Sequence, residues 1–143
     1  MAVIDDVVEK WHQHIRRELP GGLDELLDDN VVFLSPIVFT PQEGKEITKL
    51  YLGAAGNTLG GKKDGDGGAK VPKFRYTKEV ISGNHAVLEF ESEIDGKYVN
   101  GVDIITCNDA GKIIEFRVMI RPLQAVNAIH KQMAAMLEKM KSA

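Results

Sequence analysis

A carboxylate in the middle of an apolar strand places the strongest constraint on how this chain can fold. The stretch from Lys97 to Pro122 predicts two long strands joined by a tight turn, in which Gly111 supplies the positive φ that such loops require. Asp103 lies in the middle of the first strand, which is apolar on both faces and offers no local partner for a charge. An unpaired buried carboxylate is unfavourable, so we expect Asp103 to be hydrogen-bonded, protonated or facing a cavity.

Length and charge narrow the classes of protein that this chain can represent. Its 143 residues suit one domain, spanning residues 1–143. With 18 basic and 21 acidic side chains the net charge is −3, which gives no basic surface for nucleic acid or for an anionic membrane. No apolar run approaches the roughly 20 residues of a membrane span. A single cysteine, Cys107, and an acidic N-terminus without a signal peptide predict a cytoplasmic protein.

The order of predicted elements indicates an α+β fold. Apolar spacing predicts an N-terminal helix, and Pro41 and Pro122 each begin a further helix, the first with a capping-box pattern from Thr40. Alternating residues and the Asp95-Gly96 hairpin signal predict four consecutive antiparallel strands in the second half. The Gly-rich segment 60–70 is expected to be a flexible loop. Helices that cover one face of a curved antiparallel sheet leave an apolar pocket in its concavity.

The predicted concave face gathers large apolar side chains. Trp11 joins them from the apolar stripe of the first helix, where it also fits simple core packing. Periodicity leaves open whether these side chains line a void or fill a core. The strand residues expected on this face are Phe33, Leu88, Phe90, Phe116, Val118 and Ile120.

Metal and cofactor chemistry has no basis in the sequence. His12 and His14 stand two residues apart on a predicted helix, so their side chains point in different directions and make a poor pair of ligands. Phosphate-binding, dinucleotide-binding and nucleophile-elbow motifs are absent from the sequence. We therefore expect no metal ion and no cofactor.

Several segments carry a resemblance to a known family. The strand 30–36 followed by a helix, and the local sequences VNGVDII, DAGKI and RVMIRPL, resemble SnoaL-like members of the nuclear transport factor 2 (NTF2-like) superfamily. The resemblance covers nearly the whole chain. It implies a cone-shaped α+β barrel with an internal pocket, commonly assembled as a homodimer. We expect such a dimer to use the outer sheet face and the Met-bearing C-terminal helix.

The resemblance also assigns roles to individual residues. The superfamily includes ketosteroid isomerases, polyketide cyclases, epoxide hydrolases and non-enzymatic modules, so fold alone does not select a function. By similarity to the isomerases, Asp103 corresponds to a pocket carboxylic acid, Ser35 to the general-base Asp that precedes a Pro, and Trp11 to a pocket Tyr. A serine cannot take a proton from carbon without a further base.

Two hypotheses follow from these observations. The first is a protein that binds an apolar small molecule in its cone, with Asp103 as acid or base in isomerase, cyclase or hydrolase chemistry. The alternative is a non-catalytic dimeric binding or interaction module whose pocket is closed. An open pocket with a second acid or base near Asp103 favours the enzyme, whereas a pocket filled by Trp11, Phe33 and Phe90 favours the module.

Overall fold

A computed structural model describes residues 2–59 and 74–142, and these residues form four helices and six strands. The Gly-rich segment 60–70, expected to be a flexible loop, lies outside the described residues. The first half contains α1 (Val3–Ile15), α2 (Gly22–Leu26), β1 (Leu27–Leu34), β2 (Gln42–Glu43) and α3 (Lys45–Leu59). The second half contains β3 (Arg75–Ser82), β4 (His85–Ile94), β5 (Lys97–Cys107), β6 (Ile113–Arg121) and α4 (Leu123–Ser142).

The strands form one curved sheet in the order β2-β1-β6-β5-β4-β3. Strands β3 to β6 are antiparallel neighbours, as the turn signals predict, and β1 runs parallel to β6. Asp95 and Gly96 both adopt positive φ in the β4–β5 turn, and Gly111 does so before β6. The α+β class predicted from the sequence is confirmed. In the described residues, none of the helices has the length and apolar character needed to cross a membrane.

Strand β5 differs from the prediction on one of its faces. The inner face is buried as expected and carries Val99, Gly101, Asp103, Ile105 and Cys107. The opposite face, which was expected to be buried too, is only half-buried. An antiparallel sheet covered by helices on one side leaves its other side open, so apolar composition on both faces does not require burial of both.

The segment after β1 also differs from the prediction. Strand β1 begins four residues earlier than the expected Val31, at Leu27, and the third helix begins at Lys45 rather than near Pro41. Gln42 and Glu43 instead pair with β1, and Gly44, with a φ of 110°, ends that pairing. The capping-box pattern at Thr40 was therefore misleading, because backbone pairing with β1 takes the residues that the helix was expected to use.

The helices cover the inner face of the sheet and form the core with it. Helix α1 buries Ile4, Val7, Val8 and Trp11 there. Helix α4 was expected to contribute its methionines to a dimer contact, but Met133 is buried in the core with Ala125 and Ile129. These apolar side chains of α4 are thus buried within the chain, because this face of the helix packs on the concave side of the sheet.

Candidate functional site

Asp103 lies on the inner face of β5, with Leu88 of β4 and Val118 of β6 as its direct neighbours in the sheet. Its exposed fraction is 6%, and it lines a cavity between the sheet and the helices. The strand alternation places the carboxylate inward, and the tight β4–β5 and β5–β6 turns hold β5 between two long neighbours. The most informative residue of the sequence therefore lies at the wall of the cavity.

A chain of hydrogen bonds joins three elements at this carboxylate. The Trp11 Nε1–H group on α1 donates to the phenolic oxygen of Tyr76 on β3, at 2.8 Å. The Tyr76 hydroxyl donates in turn to Oδ2 of Asp103, at 2.5 Å. Trp11 thus reaches Asp103 through Tyr76 instead of donating to it directly. The bond from Tyr76 thus engages Oδ2, one of the two carboxylate oxygens of Asp103.

Burial sets the proton affinity of Asp103. Removal of the carboxylate from water raises its pKa to about 7, and the hydrogen bond from Tyr76 opposes this shift. Burial and the nearby Asp103 charge hold the pKa of Tyr76 well above its usual range, so the phenol stays protonated at neutral pH. The site therefore contains one carboxyl that is present in both protonation states near neutral pH, beside a permanent hydrogen-bond donor.

The cavity has a volume of about 580 Å³, within the range of small-molecule sites in proteins. The structure places six of the expected residues on its wall, and these are Trp11, Phe33, Phe90, Phe116, Val118 and Ile120. Asp103 and Tyr76 supply polar groups to this largely apolar wall. The rings of Trp11, Phe33 and Phe90 therefore surround an open space and do not fill it.

Ser35 and Leu88 were expected on this wall, and the structure places both elsewhere. The Ser35 hydroxyl accepts hydrogen bonds from the backbone N–H groups of Ile37 and Val38, at 3.0 and 3.2 Å. A serine before a proline readily forms such a local turn, and the adjacent Pro36 lines the cavity in its place. Leu88 shares the inner face with Asp103, but its side chain is fully buried in the core cluster.

The sequence analysis did not predict four polar residues of the cavity wall, which are Tyr76, His14, Arg16 and Arg17. Tyr76 lies in a predicted strand. A buried tyrosine usually has a hydrogen-bond partner for its hydroxyl, and this requirement could have indicated the pairing with Asp103. His14 and Arg17 lie at the end of α1, where helical spacing alone indicates an exposed position. Burial and the charge of Arg17 lower the pKa of His14. His12, by contrast, contacts Glu79 outside the cavity.

Gly101 makes room for an aromatic ring next to this site. A Cβ atom at Gly101 would lie 2.5 Å from Cζ of Phe90 and 2.6 Å from the backbone oxygen of Met119. Glycine therefore lets the tip of the Phe90 ring approach the β5 backbone closely, at the inner-face position next to Asp103. The cavity wall depends on this close approach.

Within the described ranges, no group of three His, Cys, Asp or Glu side chains could hold a metal ion.

Comparison with solved structures gives closely similar folds. A steroid delta-isomerase from Pseudomonas aeruginosa has a TM-score of 0.85 and 28% identity, over 100% of this chain and 97% of that protein. A bacterial protein with a cystatin-like fold from Silicibacter pomeroyi has a TM-score of 0.76 and 25% identity, over 90% and 83%. An NTF2-like protein of unknown function from Mesorhizobium loti has a TM-score of 0.67 and 16% identity, over 84% and 92%. Neither a protein-family model nor a curated protein matches the sequence.

The fold and the site define a class of small α+β proteins in which a curved sheet and helices line a cavity. Similarity over the whole chain to the isomerase, together with the NTF2-like neighbours, agrees with the resemblance found in the sequence. The chain therefore has the NTF2-like fold that the resemblance in its sequence implies.

Proposed function

We propose that this protein binds an apolar small molecule that carries a carbonyl or hydroxyl oxygen. The observation that carries the proposal is Asp103, the one carboxyl among the described residues that line a largely apolar cavity of about 580 Å³. An apolar cavity with a few convergent polar groups is the usual form of a small-molecule site. The apolar wall supplies affinity, and the polar pair Asp103 and Tyr76 fixes the orientation of the ligand.

The two protonation states of Asp103 suit two kinds of ligand oxygen. With Oδ2 accepting from Tyr76, the protonated carboxyl donates its O–H to a ligand carbonyl. The ionised carboxylate accepts a hydrogen bond from a ligand hydroxyl. A pKa of about 7 makes both forms accessible near neutral pH.

Trp11 provides a direct test, because it is the single tryptophan of the chain and lines the cavity. Titration with 2-decalone, a bicyclic ketone, is expected to change its fluorescence in a saturable way. Ala55→Phe places a ring at the cavity wall and is expected to abolish the change. Ala134→Phe, at an exposed position of α4, is the matched control, and this variant is expected to show the same saturable fluorescence change as the wild type. No saturable binding to the wild type, or unchanged binding to Ala55→Phe, would contradict the proposal.

Acid–base catalysis by Asp103 is the more specific form of this proposal. It is supported by the 28% identity to a steroid delta-isomerase and by the near-neutral pKa of the carboxyl. In such a reaction, ionised Asp103 takes the proton from the carbon between a ketone and a C=C bond. It then returns that proton to the far carbon, which leaves the double bond conjugated with the ketone. Among the described residues that line the cavity, Asp103 is the one carboxyl.

The catalytic proposal has its own assay. A β,γ-unsaturated steroid ketone is the probe, and conjugation is followed by ultraviolet absorbance. We expect kcat/KM to rise with pH through about 7, as Asp103 ionises, and to fall at least roughly 100-fold in Asp103→Asn. Absence of turnover by the wild type, or full activity of the variant, would remove Asp103 as a catalytic base. The protein would then be the non-catalytic binding module of the alternative hypothesis.

We propose in addition that two copies associate through the outer sheet face. Val80 and Met119 are 55% and 51% exposed there, beside the half-buried Val102 and Ile104. A self-complementary patch of this kind suits a two-fold dimer. Sedimentation velocity at micromolar concentration is expected to give twice the 15.8 kDa chain mass, and Met119→Lys to give the monomer. Phe39→Lys, at an exposed apolar position on the β1–β2 connection, is the control and keeps the dimer. A wild-type monomer would refute the dimer.

A further inference from the structure

The C-terminal end of α1 places an arginine where glycine is the usual residue. Arg16 ends the helix, and Arg17 follows it with a φ of 63°. The Arg17 N–H donates to the His14 carbonyl at 2.9 Å, and the Glu18 N–H donates to the Gln13 carbonyl at 2.8 Å. These two bonds form a Schellman motif, whose left-handed position favours glycine because a Cβ is strained there. An arginine at this position indicates a role for its side chain beyond ending the helix.

Arg17 belongs to the cavity wall. His14, Arg16 and Arg17 all line the cavity, and both arginines are exposed, so they mark its solvent-facing end. The Arg16 guanidinium is already paired with Glu18, at 2.9 Å. The Arg17 guanidinium has no carboxylate partner among residues 2–59 and 74–142. The lowered pKa of His14 keeps that ring neutral at pH 7. Among the described residues that line this end, Arg17 therefore carries the unpaired positive charge.

We propose that the ligand is an amphipathic monocarboxylic acid whose apolar body fills the cavity and whose carboxylate binds the Arg17 guanidinium at the mouth. This inference rests on the proposed function, since it concerns the same cavity. A guanidinium presents two parallel N–H donors that match one carboxylate. A dianionic phosphate would call for a second unpaired cation, and the neighbouring Arg16 is neutralised by Glu18. A single carboxylate is therefore the anion that this end accommodates.

Decanoic acid and decan-1-ol separate the charge from the apolar chain. Their binding is measured by the fluorescence of Trp11 at pH 8 and low ionic strength. Arg17→Gln is expected to weaken decanoate binding about three- to fivefold, the upper end of the range for an exposed ion pair, and to leave decanol binding within about 1.5-fold. Arg75→Gln, which removes the same charge from the outer sheet face where Arg75 pairs with Glu91, is the matched control. It should change neither affinity.

Arg17→Gly distinguishes ligand binding from a purely structural role. Glycine relieves the strain at the left-handed position, so Tm is expected to rise by roughly 2–4 °C. The same variant is expected to lose decanoate affinity to the extent that Arg17→Gln does. If decanol binds but neither Arg17 variant changes the ratio of decanoate to decanol affinity, the carboxylate proposal is overturned and the apolar site stands. If decanoate, decanol and 2-decalone all fail to bind, both proposals fail.

Discussion

The phenolic oxygen of Tyr76 lies 2.5 Å from Oδ2 of Asp103, although their strands are not neighbours in the sheet. Strand β4 lies between β3 and β5, so the tyrosine reaches across it on the concave side. Tyr76, Phe90 and Gly101 occupy one row of paired positions, and the missing side chain at Gly101 leaves space for the rings. The sheet curvature and one glycine thus bring a donor from β3 to the carboxyl of β5.

Tyr76→Phe is expected to raise the pKa of Asp103 above about 7. The phenol hydrogen bond lowers this pKa, and burial remains after the substitution. Loss of the bond, which also leaves Trp11 Nε1 without its acceptor, should destabilise the fold by about 1–3 kcal/mol. The carboxyl ¹³C shift of Asp103 reports the pKa. Tyr98→Phe, which removes an exposed hydrogen bond to Glu91, is the control. A lowered or unchanged Asp103 pKa would argue against the hydrogen-bond chain.

Asp103→Asn is expected to change how stability depends on pH. The folded protein raises the pKa of Asp103 from 3.8 to about 7, so it holds this proton more tightly than the unfolded chain does. The resulting stabilisation is complete below pH 3.8 and is lost as the pH rises through about 7. When the pH is lowered from 9 to 5, the free energy of unfolding of the wild type should therefore rise by about 2–3 kcal/mol relative to that of the variant. Urea unfolding of both proteins measures this, and parallel pH curves would show that Asp103 titrates normally.

Gly101→Ala is expected to destabilise the protein by about 1–3 kcal/mol, because its methyl group would collide with the Phe90 ring and the β6 backbone. The displaced ring should also weaken 2-decalone binding. Gly56→Ala on α3 is the matched control for stability, since no described atom beyond its own helical turn lies within 4 Å of the place that its methyl group would take. That variant should be neutral or more stable by up to about 1 kcal/mol. Thermal unfolding of both variants compares them, and equal Tm values would contradict the close packing described at Gly101.

The meander and Asp103 could be predicted because they depend on local signals. Turn glycines, strand alternation and the Asp95-Gly96 hairpin determine which strands are neighbours, and the isolated charge of Asp103 contrasts with its apolar strand. Tyr76 could not be assigned to Asp103 in this way. Strand periodicity gives the face of a residue, but it gives neither the sheet curvature nor the reach of a ring across an intervening strand.

The sequence-based predictions were wrong where local interactions and longer-range contacts of the same residues compete. Family similarity placed Ser35 in the pocket, yet its hydroxyl satisfies two backbone N–H groups of the adjacent turn. The capping pattern at Thr40 competed with pairing of Gln42 and Glu43 to β1. Arg17 was overlooked because its left-handed conformation, which directs the end of α1, is unusual for any residue except glycine.

The most direct test of the central claim is a crystal structure of the protein grown with saturating 2-decalone. We predict that the bicyclic ring lies between Phe33, Phe90 and Phe116. Its ketone oxygen is expected within hydrogen-bond distance of the Asp103 carboxyl. A cavity that contains no ligand under these conditions, or a ligand bound only on the outer face of the sheet, would contradict the account.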